Sequence, residues 1–303
     1  MTLTISVLLL KFSIIAKTDK RMSFVVDGID VETANALRRI MLTEVPAMAI
    51  HEVLFIENST PLYDEIIAHR LGLIPLTTDL DSYVLSEQCK CEGAGCEKCQ
   101  VGIQCSVAAK DANRNVYTSD LGTSDPKIKP VSDKILITKM AKGSKLVFEA
   151  YARLGLGKDH AKYQAATKAT YKYYPEIMIN QAALKDYKFK GDNENDPLVK
   201  MCPRGVLKWE KNELVMNTIE SKSSPKSGLS NCNLCETCMK VAGVPKDAVV
   251  VKAVPGKFIF FLESSGALPT ERIMLEGIKI FREKVKQFGT LVSELIEKQG
   301  TAE

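Results

Sequence analysis

Histidine is scarce in this 303-residue chain, which has only His51, His69 and His160. None sits beside a serine or cysteine in a nucleophile-and-base arrangement, and none lies among the grouped cysteines. A hydrolytic zinc site, which keeps an open coordination position, is therefore not expected. The phosphate-loop pattern is missing too. Gly155-Leu156-Gly157-Lys158 would need glycine at 152 and serine or threonine at 159, where the chain has Ala152 and Asp159. No apolar run reaches the roughly 18 residues of a membrane helix. Met1 to Ile15 is apolar, but no basic segment precedes Leu8-Leu9-Leu10 and no small-residue cleavage site follows. Val7 to Ile15 reads instead as a strand interrupted by Lys11. A strong charge of one sign is also absent. The net charge of +4 permits nucleic-acid contact without arguing for it.

Cysteine is what the chain has in quantity. Nine of them, mostly in tight groups and without a secretory signal, read as metal ligands in a reducing compartment, cytoplasmic or nuclear. Cys89-x-Cys91-x4-Cys96-x2-Cys99 places four thiols within eleven residues, with Gly93 and Gly95 letting the loop turn back. That suits one closed tetrahedral zinc; buried free thiols or disulfides are the plainer alternative. The second group is Cys202-Pro203 followed at a distance by Cys232-x2-Cys235-x2-Cys238. It resembles a ferredoxin motif cut short, because the x3-Cys-Pro expected after Cys238 is replaced by Met239-Lys240-Val241-Ala242. Four thiolates can carry one iron-sulfur cluster and no second one; a second structural zinc is the alternative. Cys105, alone after Val101-Gly102-Ile103, reads as a small core residue.

With 45% hydrophobic and 26% charged residues, the composition is that of a globular protein, and the length suggests about two domains. Asp30 can cap a helix whose stripe is Val31, Ala34, Leu37 and Met41, with Ile40 beside it and Pro46 at its exit. After Pro269, the residues Met274, Ile278, Phe281, Val285, Phe288, Val292 and Leu295 recur at 4-3 spacing. A sustained heptad seam is the pattern of a helix packing along another helix, in a partner or in its own domain. Leu275 and Leu291 broaden the stripe, while Gly277 and Gly289 each cost about 1 kcal/mol of helix propensity. Val249–Val254, Pro255-Gly256 and Lys257–Glu263 read as a β-hairpin, and Tyr171–Asn180 as a strand. Ala183–Pro197 is polar and leads into the second cysteine group; Ser221–Ser230 reads as a loop within it. With few large apolar residues, that insert is expected to have little core of its own.

Three stretches together carry a resemblance. Ala34-Asn35-Ala36-Leu37-Arg38-Arg39-Ile40-Met41-Leu42-Thr43-Glu44-Val45-Pro46 resembles the first helix of the RNA polymerase α-type subunits. Asp64-Glu65-Ile66-Ile67-Ala68-His69-Arg70-Leu71-Gly72-Leu73-Ile74-Pro75-Leu76 is similar to the long stretch shared by archaeal and eukaryotic members. Gly157-Lys158-Asp159-His160-Ala161-Lys162-Tyr163 is similar to a third family stretch. The iron-sulfur group points to the archaeal branch of the family, and the resemblance covers nearly the whole chain.

The resemblance implies an α+β fold: a discontinuous dimerisation domain (1–49, 168–180 and 248–303), an inserted β-rich domain carrying the zinc loop (50–167), and a ferredoxin-like insert (181–247). It implies a non-catalytic assembly subunit of a nucleotidyltransferase complex. Such a subunit pairs with a small α-like partner, subunit L in archaea, and then docks the large catalytic and small assembly subunits, meeting DNA only through the complex. The interface would include Leu37, Ile40, Met41 and the seam from Met274 to Leu295. Its cofactors would be zinc on Cys89, Cys91, Cys96 and Cys99, and a 4Fe-4S or 3Fe-4S cluster on Cys202, Cys232, Cys235 and Cys238. Two other classes compete. One is a ferredoxin-like electron-transfer protein, opposed by the single cluster and the absence of flavin or nucleotide motifs. The other is a zinc-dependent nucleic-acid binder, opposed by mixed charges at Lys90, Lys98, Glu92 and Glu97.

Overall fold

The computed structural model describes residues 10–216, 231–245 and 247–300, with side chains as far as Glu297. Met1–Leu9 and the loop expected over Ser221–Ser230 lie outside the described residues. Along the chain run β1 (Lys11–Lys17), β2 (Arg21–Asp27), α1 (Val31–Thr43), β3 (Ala47–Asn58), α2 (Asp64–Gly72), β4 (Gln100–Ala108), β5 (Arg114–Tyr117), β6 (Gly122–Thr123) and β7 (Leu136–Met140). Then come β8 (Lys145–Gly155), β9 (Ala166–Ile179), α3 (Pro197–Lys200), β10 (Leu207–Glu210), β11 (Glu213–Met216), β12 (Val249–Ser264) and α4 (Thr270–Gly300). The fold is mixed α+β, and the chain divides into two compact units.

The first unit comprises residues 1–17, 22–34 and 170–261. Its main sheet has the order β1-β2-β12-β9, with β1 and β2 antiparallel. Asp30 caps α1 as its position suggests: its Oδ1 accepts the Thr33 N–H at 2.7 Å, and that bonding holds the carboxyl below its ordinary range. The expected hairpin at Pro255-Gly256 does not form. β12 runs through the pair as one strand, because Gly256 takes a positive φ of 71° and its carbonyl accepts the N–H groups of Gly28 and Ile29. As an interior strand it buries consecutive residues, Phe258, Ile259 and Phe260, on both faces; Phe260 stacks on Phe24 at 5.1 Å.

The insert departs from expectation more sharply: it has a core. Leu184, Tyr187, Leu198, Leu207, Trp209 and Leu214 are buried together with Val249 and Val251. β10 and β11 form a hairpin across Lys211-Asn212, both with positive φ as a two-residue turn of this hand demands. At the centre lies Asp196, fully buried. Its carboxyl accepts from Tyr187 Oη at 2.7 Å, Trp209 Nε1 at 2.5 Å and the Leu198 N–H at 2.8 Å. A polar-looking stretch thus hides the residue that organises it. Asp196→Ala strands two buried side-chain donors, and each such loss costs roughly 1–3 kcal/mol. Denaturant melts of the insert, followed by Trp209 fluorescence, should show about 2–5 kcal/mol less stability. A change below about 0.5 kcal/mol would refute the assigned role.

The second unit comprises residues 18–21, 35–169 and 262–303. Its larger sheet has the order β3-β8-β4-β6, with β3 antiparallel to β8 and β8 antiparallel to β4. Alternating residues of β4 and β8, among them Ile103, Cys105, Leu146 and Phe148, meet Ile67 and Leu71 of α2 in one core. Cys105 is a core residue as expected, its thiol pushed up to about 11 by burial. Arg70 pins α2 by donating to the carbonyls of Ile137 and Leu136 at 2.8 and 2.7 Å. Gly157 has no room for a side chain, since a Cβ there would stand 2.6 Å from the Leu42 carbonyl oxygen, and the Lys158 N–H donates to Thr43 O. The glycine-lysine pair that superficially suggests a phosphate loop is a packing joint against the end of α1.

Candidate metal centres and the exposed helix

Between Ser86–Gln88, one turn of tight helix, and β4, the chain folds into the first cysteine loop. Glu92, Gly93 and Gly95 all have positive φ, which reverses the backbone and turns the thiols inward. The four sulfurs of Cys89, Cys91, Cys96 and Cys99 lie within 4.8 Å of one another. Three of the separations, Cys89–Cys96, Cys91–Cys99 and Cys96–Cys99, are 3.5, 3.5 and 3.8 Å. A tetrahedral ion with metal–sulfur bonds of about 2.3 Å requires sulfur–sulfur edges of about 3.8 Å. The loop is thus shaped to hold a metal ion. The Cys96 N–H also points at Cys99 Sγ at 3.3 Å. Hydrogen bonds from Cys89 and then Cys99 draw the Cys91 thiol down to about 6, whereas burial pushes Cys99 up to about 12. The first shift supplies one thiolate near neutral pH; the second is the opposing cost that a cation would remove.

Cys202, Cys232, Cys235 and Cys238 are brought together as well, lining one hollow with Val206 and Leu207. Among the described residues they do not form the compact four-sulfur group that the first quartet does. N–H and O–H groups are aimed at the sulfurs. Val206 N–H donates to Cys202 at 3.3 Å, Leu234 N–H to Cys232 at 3.4 Å and Thr237 Oγ1 to Cys235 at 3.3 Å. Such donors favour the thiolate over the thiol. Burial raises the thiols of Cys232 and Cys238; the Thr237 hydroxyl lowers that of Cys235.

The helix residues divide into two groups. Leu37, Ile40 and Met41 are buried, and the Met41 and Ile40 side chains lie against Gly277 of α4, where an added Cβ would come within 3.0 Å of Met41 Cγ. These three therefore hold α4 in place rather than forming a free surface. The seam itself is half-buried at Met274 and Phe281 and then stands bare: Ile278, Val285, Phe288, Val292 and Leu295 are 42, 59, 70, 37 and 61% exposed. Every residue from Arg282 to Glu297 is exposed. Sequence reasoning did not connect the three histidines, which the fold gathers around Lys162; they come from β3, α2 and the turn after β8, too far apart in sequence to associate.

An antiparallel α+β chain with a metal-competent cysteine loop and a long helix bare along one apolar stripe has the form of an α-type polymerase subunit. Residues 53–178 match the RNA polymerase Rpb3/RpoA insert domain. DNA-directed RNA polymerase subunit Rpo3 of Methanosphaera stadtmanae is 39% identical, with 92% of this chain and 97% of the relative aligned. The Rpo3 subunit of Thermococcus kodakarensis is 35% identical over 92% and 96% of the two chains. DNA-directed RNA polymerase II subunit rpb3 of Dictyostelium discoideum is 35% identical over 86% and 88%. The chain belongs to the Rpo3/Rpb3 family of α-type subunits of DNA-directed RNA polymerase.

Proposed function

We propose that this chain is the non-catalytic assembly subunit of an archaeal DNA-directed RNA polymerase, acting in the cytoplasm. It pairs along α4 with a small α-like partner of the subunit L type, and the heterodimer is the platform on which the large catalytic subunits dock. The observation that carries this reading is the bare seam. Five large apolar side chains at heptad spacing, each more than a third exposed, are an unusual expense for a lone helix and are the signature of a missing partner. Among the described residues, no helix is long and apolar enough to cross a membrane. The domain division implied by the resemblance, with 50–167 and 181–247 as insertions, is part of the proposal; the insert-domain match to residues 53–178 supports its first boundary. An electron-transfer ferredoxin gains no support from the relatives named above, each a polymerase subunit. Co-expression with a small α-like subunit and the large subunits tests the proposal: a stable complex that transcribes is expected. A chain that elutes alone at micromolar concentration would defeat it.

Within this reading Cys89, Cys91, Cys96 and Cys99 hold one structural zinc, a closed site that crosslinks the loop and leaves no place for an activated water. Cys202, Cys232, Cys235 and Cys238 hold one iron-sulfur cluster, whose bound role is to tie the turn at Cys202 to the segment 232–238. Cys96→Ser with Cys99→Ser should lower the zinc content by about one ion per chain and leave iron unchanged. Equal zinc in mutant and wild type would refute the zinc assignment.

A further inference from the structure

A hollow of roughly 350 Å³ in the second unit is bounded by the end of β8, the turn after it and the approach to the first cysteine loop. Its polar lining is dominated by His51, Arg153, His160 and Lys162, with Glu87 and Asp159 as the acids. An adjoining hollow shares His51, His160 and Lys162 and adds His69, so all three histidines of the chain surround one lysine. The positions are held firmly. His51 Nδ1 and Tyr163 Oη are 3.0 Å apart, Arg153 hydrogen-bonds the same Tyr163, and Lys162 Nζ donates to Ile50 O at 3.0 Å.

Packing these groups together is electrostatically unfavourable. Arg153 and Lys162 both press His51 toward its neutral form, behind the larger effect of burial, and Arg153 also disfavours charge on Lys162. Among the described residues neither Arg153 nor Lys162 is in an ion pair. Glu87 and Asp159 are exposed, and Glu52, 3.8 Å from His51 Nε2, has a side chain that is 70% exposed. An anion from outside would relieve the repulsion. The surroundings select its kind. Leu85, Leu154 and Leu156 line the hollow beside the cations, and Leu73, lining the adjoining hollow, is 51% exposed. Cations bordered by leucines suit a polypeptide better than a free phosphate, which would gain nothing from the apolar border.

We propose that this hollow receives an acidic stretch of a partner polypeptide, a carboxylate of which sits among Arg153, Lys162 and the histidines while apolar neighbours cover Leu73 and the leucines of the lining. The inference rests on the assembly reading, and its test starts from the assembled polymerase, so that failure to assemble at all is a failure of that reading and takes this one with it. A photoreactive benzophenone side chain placed at Ser86, on the rim, should crosslink in the complex to a partner peptide containing several Asp or Glu residues. In parallel, Arg153→Met should weaken retention of that partner about tenfold at moderate salt, and Glu87→Gln should strengthen it. An assembled complex that gives adducts only within this chain, or to a peptide without acids, overturns the proposal. So does an equal salt profile for the two variants, or suppression of every adduct by millimolar inorganic phosphate with no partner peptide recovered.

Discussion

Phe281→Asp combined with Phe288→Asp is expected to leave the chain folded and to abolish its pairing with the small α-like subunit. The fold should survive because Phe288 is 70% exposed and Phe281, the half-buried one of the pair, stands at the edge of the exposed stretch from Arg282 to Glu297. Pairing should fail because each aspartate would have to give up its hydration inside an apolar contact. Burying one unpaired charge or removing one aromatic anchor typically costs about 2–4 kcal/mol, so two together weaken association by roughly a thousandfold or more. Size-exclusion chromatography of co-expressed chains reads the result. If the double variant still co-elutes at micromolar concentration, the seam is not the interface. Replacing Leu37 or Met41 would be a poorer test, since both are buried under α4 and a loss of pairing would report on folding.

Removing the second cysteine group is the other large perturbation. Cys232→Ser with Cys235→Ser should give colourless protein lacking the broad visible absorbance of iron-sulfur clusters. What happens next depends on the core of the insert. Cys232 belongs to the same core as Leu184, Tyr187 and Trp209, and Cys202 and Cys238 pack against it, but the hydrogen bonds that tie Tyr187 and Trp209 to Asp196 use no sulfur, so the damage should be greatest at the turn at Cys202 and the segment 232–238. Trp209 is the only tryptophan, so its emission isolates that core. We expect the emission of a buried indole to persist, while hydrogen exchange across 232–238 speeds up by roughly 100-fold or more and assembly yield falls. Red-shifted emission would mean that the cluster holds up the whole insert. Normal assembly from colourless protein would keep the cluster and reject its structural role.

The gathering of the first cysteine quartet is legible in one dimension, because ligand spacing is local. Four thiols in eleven residues, with glycines between them, leave the backbone few ways to turn other than around a common centre. The helix seam and the Asp30 cap are legible for the same reason: periodicity and capping involve residues a few positions apart. Pro255-Gly256 misled because the pair is compatible with either a turn or a kinked strand. The choice was made by hydrogen bonds from Gly28 and Ile29, more than two hundred residues away.

Composition likewise misjudged the insert, since counting apolar residues gives no weight to a carboxyl that draws a tyrosine, a tryptophan and a backbone N–H onto itself. By itself the sequence determined the family, the two cysteine quartets and the apolar stripe of the last helix. Only the tertiary structure decided which side of α1 is covered, which stretch of α4 stays bare, and that three distant histidines meet around Lys162. Burial and charge proximity are properties of the folded chain as a whole, and they are set by contacts between residues that no local pattern links.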